Sequence, residues 1–242
     1  MNNLGNLQLL RVCTQCVLRE FCKASGKQTT IAHDGAGIHI CRKGRSIYHQ
    51  GNAGGQVHIL REGWAFRFTV LPNGRRQILE FLLPGDPILL PLLLVPYLPY
   101  TVHALTETAL CTFALKDIDR EAQAAKAILR RIEVTCAAGL IRNEARLAEI
   151  NQRNSQERTA WLLLLLFGEL KKRGYVEGNT VPFPLSLAHV ADALGITVTH
   201  ASRTLGSLRR EGLISLTRER LTVHDEQTLA NVALLPTAPP AG

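Results

Sequence analysis

The segment 187–210, LAHVADALGITVTHASRTLGSLRR, constrains the fold of this chain more than any other. It predicts two helices joined by a tight turn at Gly195, where a residue without a Cβ bends the backbone cheaply. Thr197 is a suitable cap for the second helix, and Ala191 is small enough for two helices to approach closely. The apolar residues at helical spacing are Leu187, Val190, Ala191 and Leu194 in the first helix and Ala201, Leu205 and Leu208 in the second. This pattern is typical of a helix-turn-helix, whose second helix enters the major groove of DNA.

The opposite face of the second helix carries side chains that can contact DNA. They are Thr199, His200, Ser202, Arg203, Ser207 and Arg210. Arg203 is suited to a bidentate contact with guanine, and Ser202 to a base edge or a phosphate. A solvated helix of an unrelated bundle is the alternative. Residues 212–223 favour DNA binding, because they predict two short strands around a charged turn that contains Arg218, as in a winged helix whose hairpin touches the phosphate backbone.

Composition limits the class of protein. A chain of 242 residues is long enough for two domains. Its 28 lysines and arginines against 20 acidic residues give a net charge of +8, which favours a polyanionic partner. The N-terminus does not resemble a secretory signal, and no apolar run reaches the roughly 20 residues of a membrane span, so we expect a cytoplasmic protein. In that compartment six cysteines indicate metal or redox chemistry more than structural disulfides.

Short alternating strands separated by glycine-containing turns fill residues 30–116. Segments 57–60, 65–70, 76–82 and 108–114 have the spacing of a small barrel or roll, and Pro72-Asn73-Gly74 predicts a hairpin turn. Cys41 is expected to begin a strand and to act as a small apolar residue. Farther along the chain, Trp161–Leu166 is apolar on all sides, which predicts a fully buried helical segment.

Residues 117–153 predict one long helix with a narrow apolar seam. The seam consists of Leu129, Ile132, Cys136, Leu140, Asn143, Leu147 and Ile150. Such a stripe usually pairs with a copy of itself, and Asn143 would fix the register at some cost in stability. Packing of the helix on its own roll is the alternative.

The whole chain is therefore predicted to be an α+β protein with a β-roll, a long dimerisation helix and a C-terminal winged helix-turn-helix. The predicted segments are a cysteine-bearing N-terminal segment (1–29), the roll (30–116), the dimerisation helix (117–153), the DNA-binding domain (154–230) and a disordered tail (231–242).

Three segments of the sequence resemble the CRP/FNR family of bacterial transcription regulators. They are LREGWAFRFTVLPNGRRQILEFLLPGD (60–86), NSQERTA (154–160) and LGITVTHASRTLGSLRREGLI (194–214). The resemblance covers residues 13 to about 225. It implies a sensory β-roll (a double-stranded β-helix), a homodimer on a near-palindromic site in double-stranded DNA, RNA polymerase as a further partner, and no enzymatic activity.

The nucleotide-binding branch of this family carries a glutamate and an Arg-Ser pair in a phosphate-binding segment of the roll. The corresponding stretch here, GDPILLPLLLVPYLPYTVHAL (85–105), contains no arginine. The phosphate of a cyclic nucleotide would have no cationic partner there, which argues against a cyclic nucleotide as the ligand.

The oxygen-sensing branch binds a [4Fe–4S] cluster through three N-terminal cysteines and one in the roll. Cys13, Cys16 and Cys22 have the C-x2-C-x5-C spacing of that branch, and Cys111 in TETALCTF matches the fourth position by local context. The resemblance therefore implies a redox- or oxygen-responsive regulator whose cluster controls dimerisation. Cys41 and Cys136 fall outside the pattern.

Several alternatives to the cluster remain open from the residues alone. Zinc, thiol oxidation or no ligand would each suit some of these cysteines, and a small-molecule-responsive regulator without a cluster keeps the same DNA-binding half. A metal enzyme with a cupin-like roll is disfavoured, since no His-x-His pair is present in the sequence. Thr199 stands where the oxygen-sensing branch has a glutamate, so we expect a half-site that differs at the base this glutamate would contact.

Overall fold

The computed structural model describes residues 38–88, 91, 95–114, 130, 133–134, 137, 139–141 and 153–235. Cys13, Cys16 and Cys22 lie outside the described residues, as do all seam residues except Leu140. The chain divides into two compact units, Met1–Asn143 and Glu144–Gly242. The five-segment division of the sequence remains a prediction.

The described part of the first unit is a β-roll. Its strands are β1 (Ile38–Cys41), β2 (Ser46–Tyr48), β3 (Gln56–Glu62), β4 (Ala65–Val70), β5 (Arg76–Leu82), β6 (Pro87–Ile88), β7 (Thr101–Ala104) and β8 (Thr108–Ala114). They form two four-stranded antiparallel sheets, with strand orders β1-β8-β3-β6 and β2-β7-β4-β5. The predicted roll is confirmed.

One cluster of buried residues draws on both sheets of the roll. It consists of Cys41, Tyr48, Leu60, Ala65, Leu82, Ile88, Leu98, Val102, Ala104 and Leu110. The expectation that Cys41 begins a strand is wrong: Cys41 is the last residue of β1, because the chain turns at Gly44 with φ 76°. Its burial agrees with a role as a small apolar residue and raises the pKa of its thiol, although nearby Arg45 acts in the opposite direction.

The turn between β3 and β4 packs tightly against the turn between β7 and β8. The Trp64 N–H donates to Thr106 Oγ1 at 2.9 Å, and the Trp64 carbonyl accepts from the Leu105 N–H at 2.8 Å. A Cβ on Gly63, which has φ 81°, would lie 2.1 Å from the Glu107 carbonyl oxygen. Only glycine fits this position without a shift of the backbone.

The second unit is a winged helix. Its elements are α1 (Ser155–Lys172), β9 (Thr180–Pro182), α2 (Leu187–Leu194), α3 (Val198–Arg210), β10 (Ile214–Thr217), β11 (Arg220–Val223) and α4 (Glu226–Val232). The strands form an antiparallel sheet in the order β10-β11-β9. The predicted winged helix-turn-helix is confirmed.

Helix α1 packs against α2, α3 and α4, which explains its apolar sequence. Its start is fixed by a capping box, in which the Asn154 side chain accepts from the N–H of Glu157 and the Glu157 carboxylate accepts from the Asn154 N–H. Leu162, Leu163 and Leu166 are buried. The expectation that Trp161–Leu166 is buried on all sides is wrong, because Leu165 is 39% exposed: neighbouring helices do not enclose the full circumference of α1.

The described residues between 130 and 141 are helical. No helix among the described residues is both long and apolar enough to cross a membrane.

Candidate DNA interface and sensor region

Local capping fixes the geometry of the helix-turn-helix. The Ser186 hydroxyl accepts from the His189 N–H at the start of α2, and Gly195 ends α2 in the left-handed conformation with φ 65°. Thr197 Oγ1 then accepts from the His200 N–H at 3.2 Å, which starts α3. The caps at Gly195 and Thr197 are those that the sequence predicted. Leu187 was expected on the buried face but is 42% exposed, since it is the first residue of α2 and lies before the helical turn whose side chains are buried.

Helix α3 separates a buried apolar face from an exposed polar face. Ala201, Leu205 and Leu208 are buried, as predicted. The exposed predicted contacts are Thr199, His200, Ser202, Arg203 and Arg210. Ser207 is half-buried, and its hydroxyl donates to Glu211 Oε1 at 2.8 Å. The polar face of the first two turns of α3 is therefore open to a ligand, whereas the Ser207 hydroxyl is already hydrogen-bonded to Glu211.

The wing is a two-residue hairpin that contains Arg218. Thr217 pairs with Arg220 at the end of the ladder, and the loop residues Arg218 and Glu219 have φ values of 42° and 63°. This is the backbone of a type I′ turn, which favours Asn-Gly because other residues are strained in the left-handed region. The Glu219 carbonyl accepts from the Phe183 N–H at 2.6 Å, so the wing tip is tied to the segment before α2. Arg218 is exposed at this tip.

Cys111 lies on β8, directly opposite the start of β1. Its register partners are Ile38 on β1 and Ile59 on β3. Because side chains alternate along a strand, Cys111 points away from the face on which Leu110 joins the core cluster. The side chain of Cys111 is half-buried.

The two described cysteines lie on opposite faces of this sheet. Cys41 is opposite Thr108, three positions along β8 from Cys111, and belongs to the core cluster. A disulfide between them would require a Cα separation below about 7 Å and converging side chains. Among the described residues no group of three or more histidine, cysteine, aspartate or glutamate side chains could hold a metal ion.

A buried histidine lies near Cys111 but on the core side of β8. His58 is 7% exposed, and one ring nitrogen, Nδ1, lies 2.9 Å from Thr112 Oγ1. Burial, with a smaller contribution from His39, lowers the pKa of His58 to about 4. His58 is therefore neutral at physiological pH. The burial of His58 could not be predicted from an alternating pattern in β3, because Val57 to Leu60 are all buried.

An ion pair in the second sheet of the roll was also missed by the sequence analysis. Arg67 Nη2 lies 2.6 Å from Glu80 Oε2, and the Arg67 guanidinium lies 5.3 Å from the centroid of the Tyr100 ring. Burial raises the pKa of Tyr100, and the adjacent Arg67 acts in the opposite direction. The available signal was the presence of opposite charges in two strands joined by the hairpin at Asn73-Gly74.

A β-roll followed by a winged helix with an exposed polar recognition face is the architecture of a DNA-binding transcription regulator. The family model for a Crp-like helix-turn-helix domain matches residues 157–232, and the model for a cyclic nucleotide-binding domain matches residues 39–124. The chain belongs to the CRP/FNR family of transcription regulators and is not an enzyme.

Relatives and solved structures agree with this assignment. The nitrogen fixation regulation protein FixK of Bradyrhizobium diazoefficiens is 27% identical over 219 residues, which are 88% of this chain and 90% of that protein. The transcriptional activator protein FnrA of Stutzerimonas stutzeri is 23% identical over 79% of this chain and 78% of its own length. The structure of FixK2 from Bradyrhizobium japonicum has the same fold, with a TM-score of 0.73 and 24% identity over 84% of this chain and 99% of that chain.

Proposed function

We propose that this cytoplasmic regulator senses oxygen or redox state through a [4Fe–4S] cluster held by Cys13, Cys16, Cys22 and Cys111. The observation that supports the proposal is the register of β1 and β8, in which Ile38 lies opposite Cys111. The chain that carries the other three cysteines therefore joins the sheet beside the fourth. Zinc binding or thiol oxidation by the same cysteines, or a small-molecule signal without a cluster, is the competing proposal.

The described residues fit a cluster at this place. Cys111 is half-buried and faces away from the core cluster, so a ligand bound to its sulfur would lie outside that cluster. Fifteen residues lie between Cys22 and Ile38, and an extended chain of that length spans up to about 50 Å, ample to return Cys22 to Cys111. Four thiolates are the usual ligands of such a cluster, which when bound supplies an oxygen-sensitive link between the N-terminal segment and the roll.

The dimer is proposed to form through the long helix. Leu140, of the predicted seam, is helical and 60% exposed in the single chain. Val134 and Ile141 are 59% and 66% exposed and lie seven residues apart, at equivalent positions of a heptad. Large apolar side chains exposed on one helix favour a second copy of that helix as their partner. At about 100° per residue, Val134 and Ile141 lie on the side of the helix opposite the predicted seam, so the proposed dimer interface stays as the sequence predicted it and is supported by the exposure of Leu140.

Helix α3 of each protomer is proposed to contact one half of a near-palindromic site, with the half-sites about 34 Å apart. Arg203 and Ser202 are assigned to base edges, supported by Thr199, His200 and Arg210. Arg218 of the wing is assigned to a phosphate. Because its hydroxyl already donates to Glu211, we expect Ser207 to contribute less to DNA binding than the sequence predicted. RNA polymerase is the proposed further partner.

Purification without air tests the cluster. We expect a brown protein with a broad visible absorption band and about four iron and four sulfide ions per chain, bleached when air is admitted. Cys111→Ser should abolish the band and weaken both dimerisation and DNA binding. Cys41→Ala is the matched control, because Cys41 lies on the other face of the same sheet, and it should retain the band.

Other results would redirect the proposal. A colourless protein that contains zinc would assign the cysteines to a zinc site. A colourless protein without metal that still binds DNA in air would favour thiol oxidation or a small-molecule signal. Neither result would affect the DNA-binding assignment, which depends on residues of the second unit.

A further inference from the structure

Three side chains at the start of α1 make polar contacts with the helix-turn-helix at three separate points. We propose that Gln156, Arg158 and Thr159 are positioning residues, which hold α3 in the orientation required for sequence-specific DNA binding without contacting DNA themselves. We call these three residues the α1 clamp. The inference rests on the DNA-reading role proposed above for α3.

Arg158 holds the turn between α2 and α3. Its Nη1 donates to the Leu194 carbonyl oxygen at 3.1 Å. Leu194 is the last residue of α2, so this carbonyl has no partner within its own helix and lies at the negative end of the helix dipole. The half-buried Arg158 guanidinium supplies both a hydrogen-bond donor and a positive charge to this carbonyl. It thereby holds Leu194, the residue that immediately precedes Gly195.

A second feature distinguishes Arg158 from an ordinary surface arginine. Its Nε is buried and has no hydrogen-bond partner among the described residues. Burying an unsatisfied donor costs free energy, which the contact of Nη1 with the Leu194 carbonyl helps to offset. Because Thr197 starts α3 only three residues after Leu194, the position of this carbonyl sets where α3 begins.

Thr159 holds the middle of α3. Its Oγ1 lies 3.1 Å from Thr204 Oγ1, and both residues are buried, at 0% and 7% exposure. The Thr159 hydroxyl also donates to the Ser155 carbonyl, and the Thr204 hydroxyl is within hydrogen-bond distance of the His200 and Ala201 carbonyls. Because each hydroxyl has one proton, one of the two donates across to the other helix while the second donates to a carbonyl of its own helix. Thr204 directly follows Arg203, the residue assigned to a guanine.

Gln156 reaches the end of α3 through a shared carboxylate. Its Nε2 donates to Glu211 Oε1 at 3.1 Å, and the same oxygen accepts from Ser207 Oγ at 2.8 Å. The end of α2 and the middle and end of α3 are therefore each connected to the first two turns of α1. The capping box at Asn154 holds these turns in a single geometry.

The test compares specific and non-specific DNA binding by the full-length protein. The specific probe is a duplex selected by the wild-type protein from a random 30-base-pair library, and the non-specific probe is a scrambled duplex of the same composition. Arg158→Met keeps the aliphatic stem but removes the donor. Lys172→Met is the control, because Lys172 is an exposed cation on the same helix and pairs with Glu169.

We expect Arg158→Met to weaken specific binding by roughly 5- to 150-fold, the range for one lost base contact. Non-specific affinity and the salt dependence should stay at wild-type values, because no phosphate contact is lost. Thr204→Val, which removes the hydroxyl of a buried residue, should produce the same pattern. Arg158→Lys, which keeps a donor, should recover part of the specific affinity. Lys172→Met should leave the ratio of specific to non-specific affinity unchanged.

Each other outcome has a definite meaning. If specific and non-specific binding fall together and the salt dependence weakens, Arg158 contacts a phosphate and the clamp is wrong. If the melting temperature falls but the affinity ratio at 20 °C does not, the contacts serve stability alone. Arg203→Ala, measured in parallel, separates the two proposals. If Arg203→Ala loses no specificity, the proposed role of α3 is refuted. If Arg203→Ala loses specificity while Arg158→Met and Thr204→Val keep wild-type specificity, only the clamp is refuted. If Arg158→Met does not fold, Thr204→Val and Arg158→Lys decide the question.

Discussion

The wing turn places two charged residues in the left-handed region, and the resulting loss of stability can be measured. Arg218 and Glu219 both have positive φ values, where a residue with a Cβ is disfavoured by about 1–2 kcal/mol. Replacing the pair by Asn-Gly, the sequence that this turn favours, should therefore stabilise the second unit by about 2 kcal/mol. For a unit of this size such a gain raises the melting temperature by roughly 8 °C or more. The hydrogen bond from Phe183 to the residue 219 carbonyl uses only backbone atoms and persists.

DNA binding should change in the opposite direction. Loss of the Arg218 charge would remove the phosphate contact proposed for each wing, so affinity for every sequence should fall. The slope of log K against log salt should decrease in magnitude by about 0.9 for each wing. The double variant leaves the net charge of the chain unchanged, because one cation and one anion are removed together. A change in slope therefore reports the local contact and not the overall charge.

Single variants separate strain from charge. Arg218→Asn should be more stable and bind DNA less tightly, whereas Glu219→Gly should be more stable and bind DNA at least as tightly as wild type. Thermal unfolding followed by circular dichroism and a salt titration of DNA binding give the two quantities. Wild-type slope in Arg218→Asn would refute the phosphate contact. An unchanged melting temperature in both single variants would show that the turn carries no strain.

Three further predictions concern single residues. Gly63→Ala should destabilise the roll by at least about 3 kcal/mol in chemical unfolding, because its Cβ would collide with the Glu107 carbonyl. Gly74→Ala is the control: Gly74 has a similar φ of 78° but open space around it, so this change should destabilise the roll by only about 1–2 kcal/mol. Because the pKa of His58 is lowered from 6.5 to about 4, its contribution to stability is fully present above pH 6.5 and is lost as the pH falls towards 4. The loss should be about 3 kcal/mol in denaturant titrations, and it should disappear in His58→Gln. Arg203→Ala should reduce specific affinity by about 1–3 kcal/mol and relax one base position in a selection experiment, and an unaltered selected sequence would contradict its assignment.

The helix-turn-helix could be predicted from the sequence because its determinants are local. Gly195 ends one helix, Thr197 caps the next, and each contacts only backbone within a few residues. The wing was equally accessible as two short alternating runs around charged residues. The strain at Arg218 was not, because a turn type depends on how many residues the pairing of Thr217 with Arg220 leaves in the loop.

The contacts on which the proposed cluster site and the proposed clamp rest could not be predicted from the sequence, because they join distant segments. Cys111 meets Ile38 across 73 positions, a pairing that follows from strand order in the sheet. Arg158 meets Leu194 across 36 positions. The burial of Trp161–Leu166 was overestimated for a related reason: hydrophobicity indicates that a helix packs, but its neighbours decide which side remains exposed.

The position of Cys111 also determines what a force applied there can do. Strand β8 lies between β1 and β3, so it is hydrogen-bonded on both sides, and moving it alone would break two ladders at once. A group attached to Cys111 is thus mounted on one of the stiffest parts of the roll. A force on such a group would therefore act on the whole sheet β1-β8-β3-β6 and not on one strand alone.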